Sequence, residues 1–157
     1  MNTEQLGTVI NYTKSRCKDE GINLTLKRQR VWEILLHSEK PLSAYEITDV
    51  FNLQFSASIM AMSVYRILEF LESANLVYHL HSANKYIANR KPEEQPAAPA
   101  ILFLICKNCQ QVRQSALPES CRDLLISHIE SASFDTCHAH LEVNTICSEC
   151  ADVSSSS

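Results

Sequence analysis

The chain has 157 residues, 45% hydrophobic and 20% charged, which allows one ordinary domain or two small ones. No apolar run reaches the length of a membrane span, and two glycines are too few for a phosphate-cradling Gly-rich loop. The formal charge of −4 is unevenly spread: residues 1–90 carry ten Lys/Arg against nine Asp/Glu, residues 91–157 four against nine. A basic face in the first half can therefore still meet phosphates. The polar start, Met1-Asn2-Thr3-Glu4, lacks a signal-peptide pattern. With seven cysteines, the expected setting is a reducing cytoplasm, where close cysteine spacings hold metal.

Leu6, Val9, Ile10 and Cys17 fall at helical spacing over residues 3–18, and Gly21-Ile22-Asn23 breaks the pattern. Thr25 is the expected N-cap of a helix over 26–37, with Val31, Ile34 and Leu35 inward and Trp32 off that stripe. Lys27, Arg28 and Arg30 near its start oppose the helix dipole, which hints at phosphate contact. Ser43 is the expected cap of a helix over 44–54 that carries Ala44, Ile47 and Phe51 on one side. A stronger helix follows over 61–74. Val64, Ile67, Leu68 and Leu71 form its core stripe, while Tyr65, Arg66, Glu69 and Glu72 lie outside it. Residues 76–81 and 85–88 read as two strands around the turn Ser82-Ala83-Asn84. Helices followed by a hairpin is the winged-helix order. The last helix would then enter the major groove, with Tyr65 and Arg66 as candidates for base or phosphate contact.

Residues 89–100, with three prolines, read as a linker. A strand over 101–105 runs into Cys106-Lys107-Asn108-Cys109, and residues 110–113 return. A helix from Pro118 is expected to turn Cys121, Leu124, Leu125 and His128 inward, and a strand over 137–146 leads to Cys147-Ser148-Glu149-Cys150. Each C-x-x-C brings two thiolates to one ion, so the two together supply the tetrahedral sulfur set of a structural zinc. Four thiolates leave no open position for water, so this zinc is expected to hold the fold and not to catalyse. Residues 151–157 are expected to be a disordered tail.

Specific stretches resemble the ferric uptake regulator family, most closely its zinc-uptake branch. Leu24-Thr25 with Arg28 and Val31 is similar to the family's second helix, and Ser43-Ala44-Tyr45-Glu46 to the start of the next. Ser63-Val64-Tyr65-Arg66-Ile67-Leu68 with Phe70-Leu71 resembles its recognition helix, and Asn84-Lys85-Tyr86 its wing turn. The paired cysteines match its zinc ligands. The resemblance covers about residues 5–150 and implies an α+β chain. Residues 1–88 would be a winged-helix DNA-binding domain and 89–100 a hinge. Residues 101–150 would be a small α/β dimerisation domain holding one zinc on Cys106, Cys109, Cys147 and Cys150. It further implies a cytoplasmic, homodimeric, metal-dependent repressor, not an enzyme, acting on palindromic double-stranded operator DNA that controls zinc or other metal uptake. Lys27, Arg28, Ala44, Tyr45, Ser63, Tyr65 and Arg66 are the DNA-contact candidates. The alternative is a relative that no longer senses metal, or an interaction protein that kept the fold.

The departures concern the family's second, sensory metal site. Tyr78 stands in place of its wing-strand His, Asn89 in place of a Cys, and Gln114 in place of a Glu; the linker offers only Glu93 and Glu94. A second zinc would need other ligands. The candidates are His79 with His81, two apart on one strand face, and His138 with His140 beside Cys137.

Overall fold

The computed structural model describes residues 3–92, 101–135 and 140–155. The chain divides into two compact units, Met1–Glu94 and Gln95–Ser157.

The first unit opens with α1 (Thr3–Asp19), α2 (Leu26–His37), α3 (Ala44–Gln54) and α4 (Ala61–Ser73). β1 (Val77–Leu80) and β2 (Lys85–Ala88) follow as an antiparallel hairpin in the register Val77↔Ala88 to Leu80↔Lys85. The start signals act as read. Thr25 Oγ1 accepts from the Arg28 amide. Ser43 and Glu46 close a reciprocal capping box, with the Ser43 amide 2.6 Å from Glu46 Oε2. That amide, followed by bonds from the Ser43 hydroxyl and Lys85, holds the Glu46 carboxyl below its ordinary pKa. Lys85 lies 3.2 Å from the same carboxylate and so links the wing to α3. Leu42 and Tyr86 exchange backbone bonds of 3.0 and 2.7 Å, adding one bridge to the hairpin edge. Asn52 clamps the α3–α4 turn by bonding both the amide and the carbonyl of Ile59.

Val31, Leu35, Ile47, Phe51, Val64, Leu68 and Leu71 make one core. Trp32, off the expected stripe, is fully buried as well, and its indole N–H donates to the Leu76 carbonyl at 3.2 Å. A buried indole needs such a partner. This one fastens α2 to the junction between α4 and β1.

The expected linker start at 89 is a correction. Asn89 is buried and donates to the Asn75 carbonyl at 2.8 Å, while its own amide bonds the Leu76 carbonyl at 2.8 Å. Arg90 donates to the Ser38 carbonyl at 2.9 Å, and Arg16 reaches the Pro92 carbonyl at 2.7 Å. Residues 89–92 thus belong to the winged helix, because buried backbone polar groups there need these partners. The rest of the stretch, 93–100, lies outside the described residues.

In the second unit β3 (Ile101–Cys106) is the central strand, antiparallel to β4 (Val112–Ala116) and parallel to β5 (His140–Thr145). Ile101, Phe103 and Ile105 are buried on one face of β3. α5 (Glu119–Ser131) buries none of its residues. Cys121 and His128 are exposed and Leu124 is 73% exposed, so the inward stripe expected there is not covered among the described residues. A three-stranded sheet with two short helices has little surface with which to cover that stripe. The second correction is at the C-terminus. The chain continues as α6 (Ser148–Ser155) through most of the expected tail, and the second C-x-x-C opens this helix. The Ala151 amide bonds the Cys147 carbonyl at 2.9 Å, so Cys147 starts the helical ladder.

Candidate metal centre and nucleic-acid interface

Cys106 ends β3, and the chain reverses at once. The Gln110 amide bonds the Cys106 carbonyl at 2.9 Å, and Gln110 takes the left-handed conformation at φ 61°. Cys109 is carried in that turn. β5 runs parallel beside β3, pairing Cys106 with Thr145, so Cys147 and Cys150 emerge at the same sheet end. The Lys107 amide bonds the Thr145 carbonyl at 2.9 Å and ties the two ends together.

The four Sγ atoms of Cys106, Cys109, Cys147 and Cys150 lie within 4.8 Å of one another, and none of the four is in a disulfide. A Zn–S length of about 2.3 Å places the sulfurs of a regular tetrahedron about 3.8 Å apart. Cys109 Sγ and Cys147 Sγ are 3.7 Å apart, which fits that spacing and is far from a disulfide length. The Cys147 amide points at Cys106 Sγ from 3.4 Å, the kind of outer-shell bond that steadies a thiolate. The donor set therefore suits zinc.

Backbone N–H groups of Cys109 and then Cys147 pull the Cys106 thiol down to about 6. Cys109 is raised: the Gln111 amide pulls it down, but burial and the neighbouring Cys106 and Cys147 sulfurs together outweigh that pull. Its bond with Cys147, then burial, pushes Cys150 up to about 12. At neutral pH Cys106 is thus largely thiolate, while Cys109 and Cys150 still hold their protons. All four sulfurs are thiolates in the bound state, so a metal displaces at least those two protons. Zinc affinity is expected to fall by at least about 100-fold per pH unit between pH 8 and 6, and more steeply below, where Cys106 also protonates. Competition titration against a chelator of known pH dependence measures this, and a pH-independent affinity would refute it.

In the first unit α4 presents exposed Ser63 and Arg66. Tyr65 is half-buried and meets exposed Tyr45 edge-to-face at 6.3 Å. Lys27 is exposed. Other candidates are engaged within the chain itself. Ala44 is 1% exposed, so its methyl belongs to the core and only its backbone can face a ligand. Arg28 donates to the Asn23 carbonyl at 2.6 Å and lies 3.5 Å over the Phe70 ring, while Arg30 covers Phe55 at 4.3 Å. Both guanidiniums spend part of their bonding capacity within the chain. Met60 and Met62 are 76% and 65% exposed at the start of α4, which sequence reasoning did not foresee. Their type gave no signal, since methionines there also suit a core.

The second-site candidates separate. His138 lies outside the described residues. His140 Nε2 sits 3.1 Å from Glu142, and its ring meets Phe103 edge-on. The His79 and His81 rings meet at a tilt, their centroids 4.2 Å apart, and Glu72 joins them, the three ligand atoms lying within 4.8 Å of one another. The sequence had put Glu72 with the charged face of its helix. At the positions where the resemblance places sensory ligands, Asn89 is a buried structural amide.

The profile of the ferric uptake regulator family matches residues 19–124. The chain is 25% identical over 137 residues to the zinc uptake regulation protein of Escherichia coli K12, covering 87% of this chain and 78% of that protein. Among solved structures it resembles a zinc uptake regulator complexed with zinc and DNA, with a TM-score of 0.84 at 22% identity over 99% of both chains. It also resembles holo XcZur, with a TM-score of 0.74 at 26% identity over 91% of this chain and 99% of that one.

Proposed function

We infer the function from one premise: the chain belongs to the ferric uptake regulator family. That makes it a metal-responsive regulator of transcription. On our reading it is a cytoplasmic zinc-uptake repressor and not an enzyme, binding palindromic double-stranded operator DNA as a homodimer. The observation that carries this is the four-thiolate cluster lying in the same chain as a winged helix. One structural zinc per subunit on Cys106, Cys109, Cys147 and Cys150 would hold the second unit together. The uncovered apolar surface there, with Leu124 on α5 and Val143 on β5, suits a second copy. α4 would enter the major groove, with Arg66 on a guanine edge or phosphate and Ser63, Tyr65 and Tyr45 beside it. Lys27, and the free edge of Arg28, would take backbone phosphates. The E. coli relative's name supports the zinc-uptake assignment.

The test uses an operator selected from a random DNA pool, with metal analysis on the same samples. Binding should weaken steeply with salt, and Arg66→Ala should cost about 1–3 kcal/mol of it. Equal binding by Arg66→Ala would remove α4 from the reading. A second reading, a regulator that ignores metal, is favoured by Asn89, whose amide is used for structure where a sensory ligand is expected. Operator affinity that does not respond to zinc once the cysteine site is filled selects that second reading.

A further inference from the structure

We propose that Glu72, His79 and His81 form a second divalent-metal site, of the zinc class, that joins the end of α4 to the wing hairpin. The three ligand atoms lie within 4.8 Å of one another, although they come from separate elements. Glu72 lies in the last turn of α4, His79 in β1, and His81 opens the hairpin turn. Zinc holds imidazole nitrogen and carboxylate oxygen at about 2.0–2.2 Å, so paired donors stand about 3.3 Å apart in the bound state. His81 is exposed, which gives its side chain room to turn toward that spacing.

His79 is already held in place. Its ring stacks on Tyr86 at 4.4 Å with 8° between planes, across the β1–β2 register. Its Nε2 lies 3.2 Å from Asn84 Oδ1. With that nitrogen donating, Nδ1 keeps its lone pair. A hydrogen bond on the far nitrogen is the usual outer-shell partner of a metal-bound imidazole. Asn84 is itself fixed in the tight turn at φ 48°. Glu72 is close enough to the hairpin for its charge to raise the Tyr86 hydroxyl pKa, after burial, which contributes most.

Two imidazoles and one carboxylate select zinc, or nickel and copper, over magnesium and calcium, and leave a position for water. Without thiolates and at the surface, the site should bind more weakly than the cysteine site and so fill later. Filling it replaces a carboxylate charge beside the recognition helix with a net positive one and locks that helix to the wing. The site therefore offers a sensory switch in a chain whose usual ligand positions hold Tyr78 and Asn89. This switching role rests on the DNA-binding reading above; the metal site itself does not.

The test uses the full chain with the cysteine site already zinc-filled. Cobalt(II) and zinc(II) are titrated into wild type, His81→Ala and Glu72→Gln, following visible absorption for cobalt and equilibrium dialysis for zinc. Wild type should take up one further ion per chain, and each variant should bind it about 100-fold more weakly while keeping the cysteine-bound zinc. No further ion in wild type, or uptake unchanged in both variants, would overturn the site. Operator binding is then measured at rising zinc. Zinc should tighten it for wild type and not for the variants. If the further ion binds as proposed but wild type binds no DNA at any zinc level, the repressor reading fails and the metal site stands. If DNA binding responds to zinc equally in wild type and variants, the switching role fails and the repressor reading stands.

Discussion

Cys109→Ser or Cys147→Ser is expected to strip the zinc from the second unit and unfold it, leaving the winged helix folded. The physical reason lies in how little else holds that unit. α5 buries none of its residues, and the buried apolar side chains among the described residues there are Ile101, Phe103, Ile105 and Cys106, all on one strand. Such a core does not offset the entropy of ordering the chain. A structural zinc contributes apparent binding free energy of about 10–16 kcal/mol at neutral pH, and in a small domain that binding energy is folding energy. Loss of one ligand leaves three sulfurs crowded within 4.8 Å and an incomplete shell. Metal analysis should show the zinc content falling from one per chain towards zero. Size-exclusion should show loss of the proposed dimer, and α-helical circular dichroism should persist from the first unit, which has its own core. A serine variant that keeps its zinc and melts like wild type would defeat the assignment. A strong chelator at mildly acidic pH should reproduce the variant's behaviour in the wild type, because Cys109 and Cys150 regain their protons readily.

The second large effect is expected at the single tryptophan. Trp32 is completely buried and hydrogen-bonded to the Leu76 carbonyl. Trp32→Ala removes the largest side chain of the core and leaves a buried carbonyl without that donor. The cavity costs about 3–5 kcal/mol and the orphaned carbonyl about 1–3 kcal/mol more. Against a typical domain stability of about 5–15 kcal/mol, this should leave the first unit largely unfolded near body temperature. Trp32→Phe keeps most of the ring and isolates the hydrogen bond, so it should cost markedly less. Denaturant melts followed by circular dichroism separate the two. A Trp32→Ala midpoint close to wild type would show that the α2 contact with the α4–β1 junction is not needed. Because Leu76 lies between α4 and β1, the same substitution should also abolish operator binding if α4 and the wing act together on DNA.

Much of the first unit was legible in the sequence. α2 and α3 have the expected limits, 26–37 and 44–54, because Thr25 and Ser43 are side-chain caps whose chemistry is local. α4 was legible because Val64, Leu68 and Leu71 repeat at one helical period and are all buried. Where side chains had to be assigned to solvent or core, spacing was weaker. Ala44, which the spacing puts on one side with Ile47 and Phe51 and the resemblance puts among the DNA contacts, is buried with those two. Arg28 reads as a free cation, yet it covers Phe70, a contact between two helices that no local pattern encodes. In the second unit the apolar stripe of α5 was legible, but its cover was not, since a stripe reports that something packs there and not what.

The two C-x-x-C pairs show the division most clearly. Their spacing alone lets each pair serve one ion, because two residues between cysteines let both thiols point one way. That the two pairs come together in one cluster was decided by topology. β5 lies parallel to β3, with Cys106 opposite Thr145, so both pairs leave the sheet at one end. An antiparallel β5 would have carried Cys147 to the opposite edge. The Glu72–His79–His81 cluster has the same origin. Spacing put the two histidines two apart, but His81 falls in the turn beyond β1, and only the packing of α4 against β1 brought Glu72 to them. Local chemistry is written in short spacings, and a site assembled from separate elements exists only once the chain has folded them together.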